Sequence, residues 1–253
     1  ALFYTGFDTL LLGFQGEMRL DPEVLRAKFS KPAVSNSLAE DGCDRPEMIL
    51  GMFVADLRKQ KSFAGMGALN TDDRPYIEFN VPRSAMRYTT DANQQALLEC
   101  FTDLPEEWLA SLPPEMAERL RLEHEAVRLI LEAGVLRTRN EMEEAFKKMA
   151  KAHDISPKNP VVINEMVGLL VNSAASLRGQ NQLPEAIEQF KTALQLQPDE
   201  FWALHNLIEL SMQAGQLQEG AALLERALTK YPDSPLMKGL QGKFIFTTGD
   251  RQK

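Results

Sequence analysis

Two adjacent carboxylates, Asp72 and Asp73, are the residues of this chain whose types point most directly to chemistry. They lie in the run NTDDRP, residues 70–75. Neighbouring carboxylates raise the local negative potential and would attract a cationic amine. The same run of Asn, Asp and Pro is typical of a turn, in which a side-chain oxygen accepts main-chain N–H bonds. Both interpretations stay open: Asp72 and Asp73 are candidate substrate-proximal residues or parts of a turn.

The other residues that often carry chemistry lack the spacing of a catalytic or metal site. The histidines, His124, His153 and His205, lie in separate helical segments, and neither HExxH nor GxSxG occurs in the chain. His124 stands between two glutamates, which predicts a solvated side chain. Cys43 and Cys100 lie far apart in the sequence and are predicted to be free thiols. We therefore predict no metal site and assign no catalytic residue beyond the two aspartates.

The composition of the 253 residues is that of a globular protein, with 44% hydrophobic and 25% charged residues. A formal net charge of −8 argues against a nucleic-acid partner, whose phosphates require a basic face. No apolar run reaches the roughly 18 residues that would span a bilayer. We expect no membrane span and a cytoplasmic location, either free or as the soluble cytoplasmic part of a membrane protein.

The first third of the chain mixes strand and helix signals. A hairpin is predicted from strands at Ala1–Tyr4 and Thr9–Phe14, and because it begins at the first residue we expect the chain to be a fragment. One helix is predicted to start at Asp21-Pro22-Glu23 and to bury a face of Val24, Leu25 and Phe29. A second helix is predicted to start at Asp44-Arg45-Pro46-Glu47, with Ile49, Met52, Phe53 and Leu57 at helical spacing. An alternating strand is predicted at Tyr76–Val81.

The last part of the chain is helical and repeats a pattern of a small residue, a large apolar residue, a second small residue and a proline. This pattern, with its period of about 34 residues, resembles the tetratricopeptide repeat. The interval from an earlier copy at Ala145 to Ala186 is longer than the interval from Ala186 to Gly220, which predicts a longer helix after Pro160. Three helical pairs and a final helix are expected. The matched positions are Ala186 with Gly220, Ala193 with Ala227, and Pro198 with Pro232.

A second resemblance concerns residues 1–85. The segments TLLLGFQG, MRLDPEVLRAKF and KPAVSNSLAEDG, followed by LNTDDRPYIEF, are similar to the C-terminal end of polyamine aminopropyltransferases (spermidine synthase-like proteins) in bacterial membrane proteins that carry tetratricopeptide repeats. The resemblance implies a methyltransferase-like α/β domain that uses decarboxylated S-adenosylmethionine as co-substrate with an amine acceptor. The chain contains no Gly-rich nucleotide loop after a strand, so we expect no cofactor in it and no transfer by this chain alone.

These signals together predict a mainly α fold. We expect the C-terminal segment of the methyltransferase-like domain at 1–85, a helical connector at 86–113, and a tetratricopeptide-type array of helical hairpins at 114–253.

The array carries its own candidate site, because such arrays present a concave face built by the first helix of each pair. Asn172 and Asn206 recur at the same repeat position and could bind a peptide backbone; alternatively, they bond only within the array. The predicted function is a protein-interaction or scaffolding module that binds an unknown protein or peptide. The alternative is that residues 1–85 help to complete an aminopropyltransferase site. The predicted groove residues are Asn172, Arg178, Trp202, His205, Asn206 and Glu209.

Overall fold

The structure is a computed structural model, and it describes residues 1–5, 9–12, 19–56 and 90–249. The fold is mainly α, as predicted, with a small sheet near the N-terminus. The candidate residues Asp72 and Asp73, the turn around them and the predicted strand Tyr76–Val81 lie outside the described residues.

The elements follow one another from a small sheet with three helices to a long run of helices. In the first part these are β1 (Leu2–Tyr4), β2 (Thr9–Leu11), α1 (Pro22–Phe29), α2 (Pro32–Glu40), α3 (Pro46–Gly51) and β3 (Phe53–Ala55). The second part comprises α4 (Thr90–Cys100), α5 (Glu106–Ser111), α6 (Pro114–Thr138), α7 (Met142–Ile155), α8 (Pro160–Gly179), α9 (Leu183–Leu196), α10 (Phe201–Gln213), α11 (Leu217–Lys230) and α12 (Pro235–Gly249).

The described strands form an antiparallel sheet in the order β2-β1-β3. The predicted hairpin is confirmed, with Leu2 opposite Leu11. The helix predicted to run through Leu57 is wrong, because α3 ends at Gly51 and the segment Phe53–Ala55 is a strand. Aromatic and β-branched residues favour this change, and the open edge of β1 supplies ladder hydrogen bonds that a helix would forgo.

Helix α1 begins as predicted but does not have the predicted buried face. The Asp21 carboxylate accepts the main-chain N–H groups of Glu23 and Val24 at 2.9 and 3.1 Å, as a capping residue should. No residue of α1 is buried, and Val24 is 47% exposed. The predicted helix is therefore confirmed, but its predicted buried face is wrong.

The chain divides into two compact units, residues 1–162 and 163–253. Helices α6 and α7 form a hairpin like the later ones but lie in the first unit, so the start of the array at residue 114 stays a prediction. In the first unit α3 packs closely on α6. A Cβ at Gly51 would lie 2.5 Å from the Cβ of Glu123, so glycine is needed for this approach.

Three hairpin turns of the chain share one backbone geometry. A left-handed residue closes each turn, namely Asn140 between α6 and α7, Asn181 between α8 and α9, and Gly215 between α10 and α11. The next N–H then bonds back to the preceding helix in all three turns, at 2.8–3.0 Å. Such a left-handed closing residue is a common way to end a helix, and its recurrence marks three successive helical pairs.

The second helix of each pair contributes the predicted small, large, small pattern to the core. Met149, Phe190 and Leu224 are buried as the large residues. The small residues on either side of them are buried as well: Ala145 and Ala152, Ala186 and Ala193, and Gly220 and Ala227. Small side chains let the two helices of a hairpin approach, which is the physical requirement behind the repeat.

Helix α8 is long and apolar enough to cross a membrane by length and composition, with a mean hydropathy of 1.3. Asn164 and Glu165 interrupt its apolar run, so the expectation of no membrane span stays a prediction. A buried core helix satisfies the same criterion, and Val162, Val167 and Ala174 of α8 are buried. About 33% of the apolar window of α8 is buried within the protein, and a single helix of this kind is weak evidence for a membrane span.

Candidate functional site

The predicted groove residues lie on the first helices of successive pairs in the second unit. Asn172 and Arg178 are on α8, whereas Trp202, His205, Asn206 and Glu209 are on α10. Helix α12 occupies the corresponding position one repeat later and adds Lys243. Three helices of the array therefore contribute to one candidate site, and we call these seven residues the ladder face.

A ladder of alternating charge joins the three helices. Arg178 donates from Nη1 to Oδ1 of Asn206 at 2.5 Å and from Nη2 to Oε2 of Glu209 at 2.9 Å. The second carboxylate oxygen of Glu209, Oε1, accepts Nζ of Lys243 at 3.1 Å. The Glu209 carboxylate is only 19% exposed and lies between two cations. The ladder holds one negative and two positive charges, so it would favour an acceptor or an anionic group of a ligand.

Lys243 was not among the residues predicted for the site. Lys243 follows Glu209 by 34 residues, so the two occupy the same position in consecutive repeats and carry opposite charges. The period of the repeat together with the change of charge was the signal that could have identified it.

Trp202 provides an exposed aromatic surface beside the ladder. Its side chain is 51% exposed near the start of α10. Its ring lies edge-on to His205, with centroids 5.9 Å apart, and to Phe201, with centroids 5.1 Å apart. An exposed tryptophan held by two neighbouring rings loses little freedom on binding, which makes it a suitable anchor for a partner.

The two asparagines differ in how they are bonded. The Asn206 amide donates to the main-chain oxygen of Trp202 at 2.8 Å and accepts from Arg178. The Asn172 side chain is exposed and makes no hydrogen bond within residues 90–249. Asn206 therefore does bond within the array, and its side chain keeps one N–H hydrogen and one oxygen lone pair for a ligand. The whole side-chain amide of Asn172 is available to a ligand.

The local environment changes the pKa of two residues in the ladder face. Burial lowers the pKa of His205, and the cations Arg178 and Lys243 lower it further, against the opposing effect of Glu209. Burial would raise the pKa of Glu209, but hydrogen bonds from Arg178 and Lys243 outweigh it and the pKa is lowered. At neutral pH the face therefore presents a neutral imidazole and an ionised carboxylate.

The first unit contains a buried polar centre that the sequence did not indicate. The Glu123 carboxylate accepts from Arg45 at 3.1 Å and from Ser156 and Asn159 at 2.7 Å each. The neighbouring His124, predicted to be solvated, is only 7% exposed, because its ring stacks on Phe101 and both its nitrogens face main-chain oxygens. The Glu123 carboxylate is bonded by Arg45, Ser156 and Asn159, which is typical of a structural network. A neutral His124 ring has one N–H group and can donate to only one of the two carbonyl oxygens that face it.

A cleft of about 480 Å³ opens between α1, α3 and α6 in the first unit. Its arginines suggest an anion site, but each already has a carboxylate partner. Arg119 bonds Glu47 at 2.8 Å, Arg45 bonds Glu123, and Arg26 bonds an exposed glutamate of its own helix. No group of His, Cys, Asp and Glu that could hold a metal ion occurs in the part of the chain that the structure describes.

Both cysteines are free thiols, as predicted, and both are buried. Burial raises the pKa of Cys43 and of Cys100, so neither is an activated nucleophile.

The repeat geometry agrees with the comparison to known families. Residues 177–244 match the tetratricopeptide repeat family model. The second unit contains a tetratricopeptide-type array. Tetratricopeptide repeats are protein-interaction modules, so the match supports a role in protein–protein interaction. No curated protein and no solved structure matches the chain.

Proposed function

We propose that the chain is a protein-interaction module whose tetratricopeptide-type array binds an extended segment of a partner protein along the ladder face. The observation that carries this proposal is the ladder Arg178–Glu209–Lys243, which joins three successive first helices beside the exposed Trp202. The bound segment would cross the helices rather than follow one of them.

The chemistry of the face limits the kind of segment that fits. Asn172 and Asn206 offer amide groups one repeat apart, which suits the alternating donors and acceptors of an extended backbone. Trp202 would contact an apolar or proline side chain, because its exposed ring offers a large apolar surface and only one polar group, the indole N–H. In the chaperone-binding subtype of the tetratricopeptide arrays that this repeat resembles, lysines clamp a C-terminal carboxylate. This chain has Val171 and His205 at those positions, so an internal segment is favoured over a free chain end.

The proposal is tested by selecting peptides from a displayed random library against the full chain. Trp202→Ala should lower the affinity for the selected peptides about 30-fold, since a central aromatic anchor contributes about 2 kcal/mol to the binding free energy. The matched control is Leu122→Ala, which removes a 42% exposed apolar side chain from α6. Equal affinity for the Trp202→Ala variant and the unchanged chain would refute the ladder face as the binding site.

The aminopropyltransferase alternative for residues 1–85 remains a hypothesis from resemblance. Asp72 and Asp73 stay candidate substrate-proximal residues, and decarboxylated S-adenosylmethionine stays the co-substrate that the resemblance implies. Turnover by a longer chain with Asp72→Asn and Asp73→Asn is the relevant measurement, and an unchanged rate would remove both residues from the catalytic assignment.

A further inference from the structure

Helix α12 exposes apolar side chains on a side that is covered in the preceding repeat. Ile245 is 63% exposed and Phe246 is 72% exposed. A Cβ at Gly242 or Gly249 would meet no atom within 4 Å. We call Gly242, Ile245, Phe246 and Gly249 the outer side of α12. Exposed aromatic and β-branched residues beside open glycines are unusual on an uncovered helix of such an array, since an outer face is ordinarily polar.

The preceding repeat shows what covers this side. Moving back by one repeat places Gly242 on Ile208, Ile245 on Ser211 and Phe246 on Met212 of α10. Ile208 and Ser211 are 0% and 5% exposed. Met212 packs against the same core cluster as Ile208. The outer side of α12 is therefore the repeat equivalent of a surface that is buried one repeat earlier.

The cover of α10 is the apolar face of α11. A Cβ at Gly220 would lie 3.2 Å from the Cβ of Ser211, so a small residue is required there. Leu224 and Ala227 complete the contact in one cluster with Ile208. The interface thus consists of a small residue, then a leucine four positions later, then an alanine three positions after that.

We propose that the outer side of α12 binds an amphipathic helix of a partner protein whose face has the chemistry of α11. The outer side of α12 is the repeat equivalent of the surface through which α10 contacts α11. A helix bound there would therefore repeat the α10–α11 interface one unit later in the array. A small residue of the partner would face Ile245, as Gly220 faces Ser211. A larger apolar residue would fill the space that Gly242 leaves where α10 has Ile208.

The first half of the surface differs in charge and favours one kind of partner. Lys238 and Gln241 stand where α10 has Leu204 and Leu207. Helix α11 runs antiparallel to α10, so the C-terminal half of a bound helix would lie over Lys238. Asp233 precedes α12 as Asp199 precedes α10, and Asp199 pairs with Arg226 and Lys230 of α11 at 3.2 and 3.7 Å. A basic residue in the C-terminal half of the partner helix would pair with Asp233 in the same way, and the apolar contact would be confined to the last two turns of α12.

The test measures binding of a fluorescent, helix-stabilised peptide of residues 215–232 to the full chain by anisotropy. This peptide carries the α11 face. Phe246→Ser should weaken binding at least tenfold, because it removes the most exposed apolar side chain of the surface. Leu236→Ser is the matched control: its side chain is 48% exposed on the same helix but outside the outer side, and it should leave affinity unchanged.

A second peptide variant checks the geometry of the contact. Gly220→Leu in the labelled peptide should abolish binding, because a bulky side chain would prevent the close approach. Equal affinity for both peptides, or equal losses in Phe246→Ser and Leu236→Ser, would overturn the proposal. So would a dimer of the chain in light scattering that Phe246→Ser dissociates, since the surface would then belong to a second copy. Circular dichroism of both variants verifies that α12 still folds.

Discussion

The two compact units of the chain both bury an apolar core but differ in the polar groups they bury with it. The first unit buries charged and polar groups, with Glu47, Glu123 and His124 each at most 7% exposed. The second unit, within residues 163–249, buries a repeating apolar pattern in which Ser211 is the buried polar residue. The difference shows that the hairpins of the second unit need small and large residues in register, whereas the first unit adds specific polar pairs distant in sequence to its own apolar core.

The largest expected effect comes from breaking the apolar pattern of the second unit. Phe190→Ala removes a fully buried ring from α9 and should destabilise the array by about 3–5 kcal/mol, from lost burial and the cavity left behind. Urea unfolding followed by Trp202 fluorescence in a Trp108→Phe background measures it. Gln195→Ala, an exposed change on the same helix, is the control, and a loss below about 1 kcal/mol for Phe190→Ala would refute the packing.

A smaller loss is expected when the polar centre of the first unit is altered. In Glu123→Gln an amide NH2 would face a donor, because Arg45 bonds one carboxylate oxygen while Ser156 and Asn159 bond the other. We expect a loss of about 1–3 kcal/mol. The buried Trp108 reports on this unit in a Trp202→Phe background. Glu118→Gln, in an exposed ion pair of the same helix, should have almost no effect, and equal losses in both variants would contradict the account.

The pH dependence of the first unit should come partly from His124. Burial lowers the pKa of His124 in the folded protein, although the two carbonyls that face it act in the opposite direction. The unfolded state then binds a proton more readily, so this contribution is present above about pH 6.5 and is lost as the pH falls towards the lowered folded pKa. His124→Gln should flatten the decrease in unfolding free energy between pH 7 and 5. An unchanged slope would mean that His124 does not titrate in that range.

The smallest effect on stability is expected in the ladder. Glu209→Gln should cost less than about 1 kcal/mol, because the cations on either side of it are partly exposed. The loss should shrink further at high salt, since screening already weakens the ion pairs of the unchanged chain. Urea titrations at low and high salt measure both quantities. A loss above about 2 kcal/mol, beyond what exposed ion pairs contribute, would mean that the ladder is a structural element of the array.

The sequence predicted the helical hairpins well because their determinants are local and periodic. The repeat spacing, the small residues and the final helix can all be read from residue types alone. The strand Phe53–Ala55 was missed because its partner is β1, at the far end of the first unit in the sequence. Likewise, Arg45 and Glu123 are 78 residues apart, so their pairing and the burial of His124 depend on packing that no local pattern shows.

For the candidate site, the sequence placed residues on the first helices of the pairs but could not give their contacts. Arg178 donates hydrogen bonds to Asn206 and Glu209. These bonds use part of the hydrogen-bonding capacity that the sequence had assigned to a ligand. Lys243 was missed because its relation to Glu209 is a change of charge between equivalent positions of α10 and α12, not a repeated residue type.

The most direct test of the central claim uses Trp202 as its own reporter. In a Trp108→Phe chain the remaining tryptophan lies on the ladder face, 51% exposed and open to acrylamide. A selected peptide should protect Trp202 from quenching in proportion to the bound fraction, and Asn206→Ala should shift that titration to higher peptide concentrations. Peptide binding that leaves acrylamide quenching of Trp202 unchanged would contradict the ladder face as the interaction site.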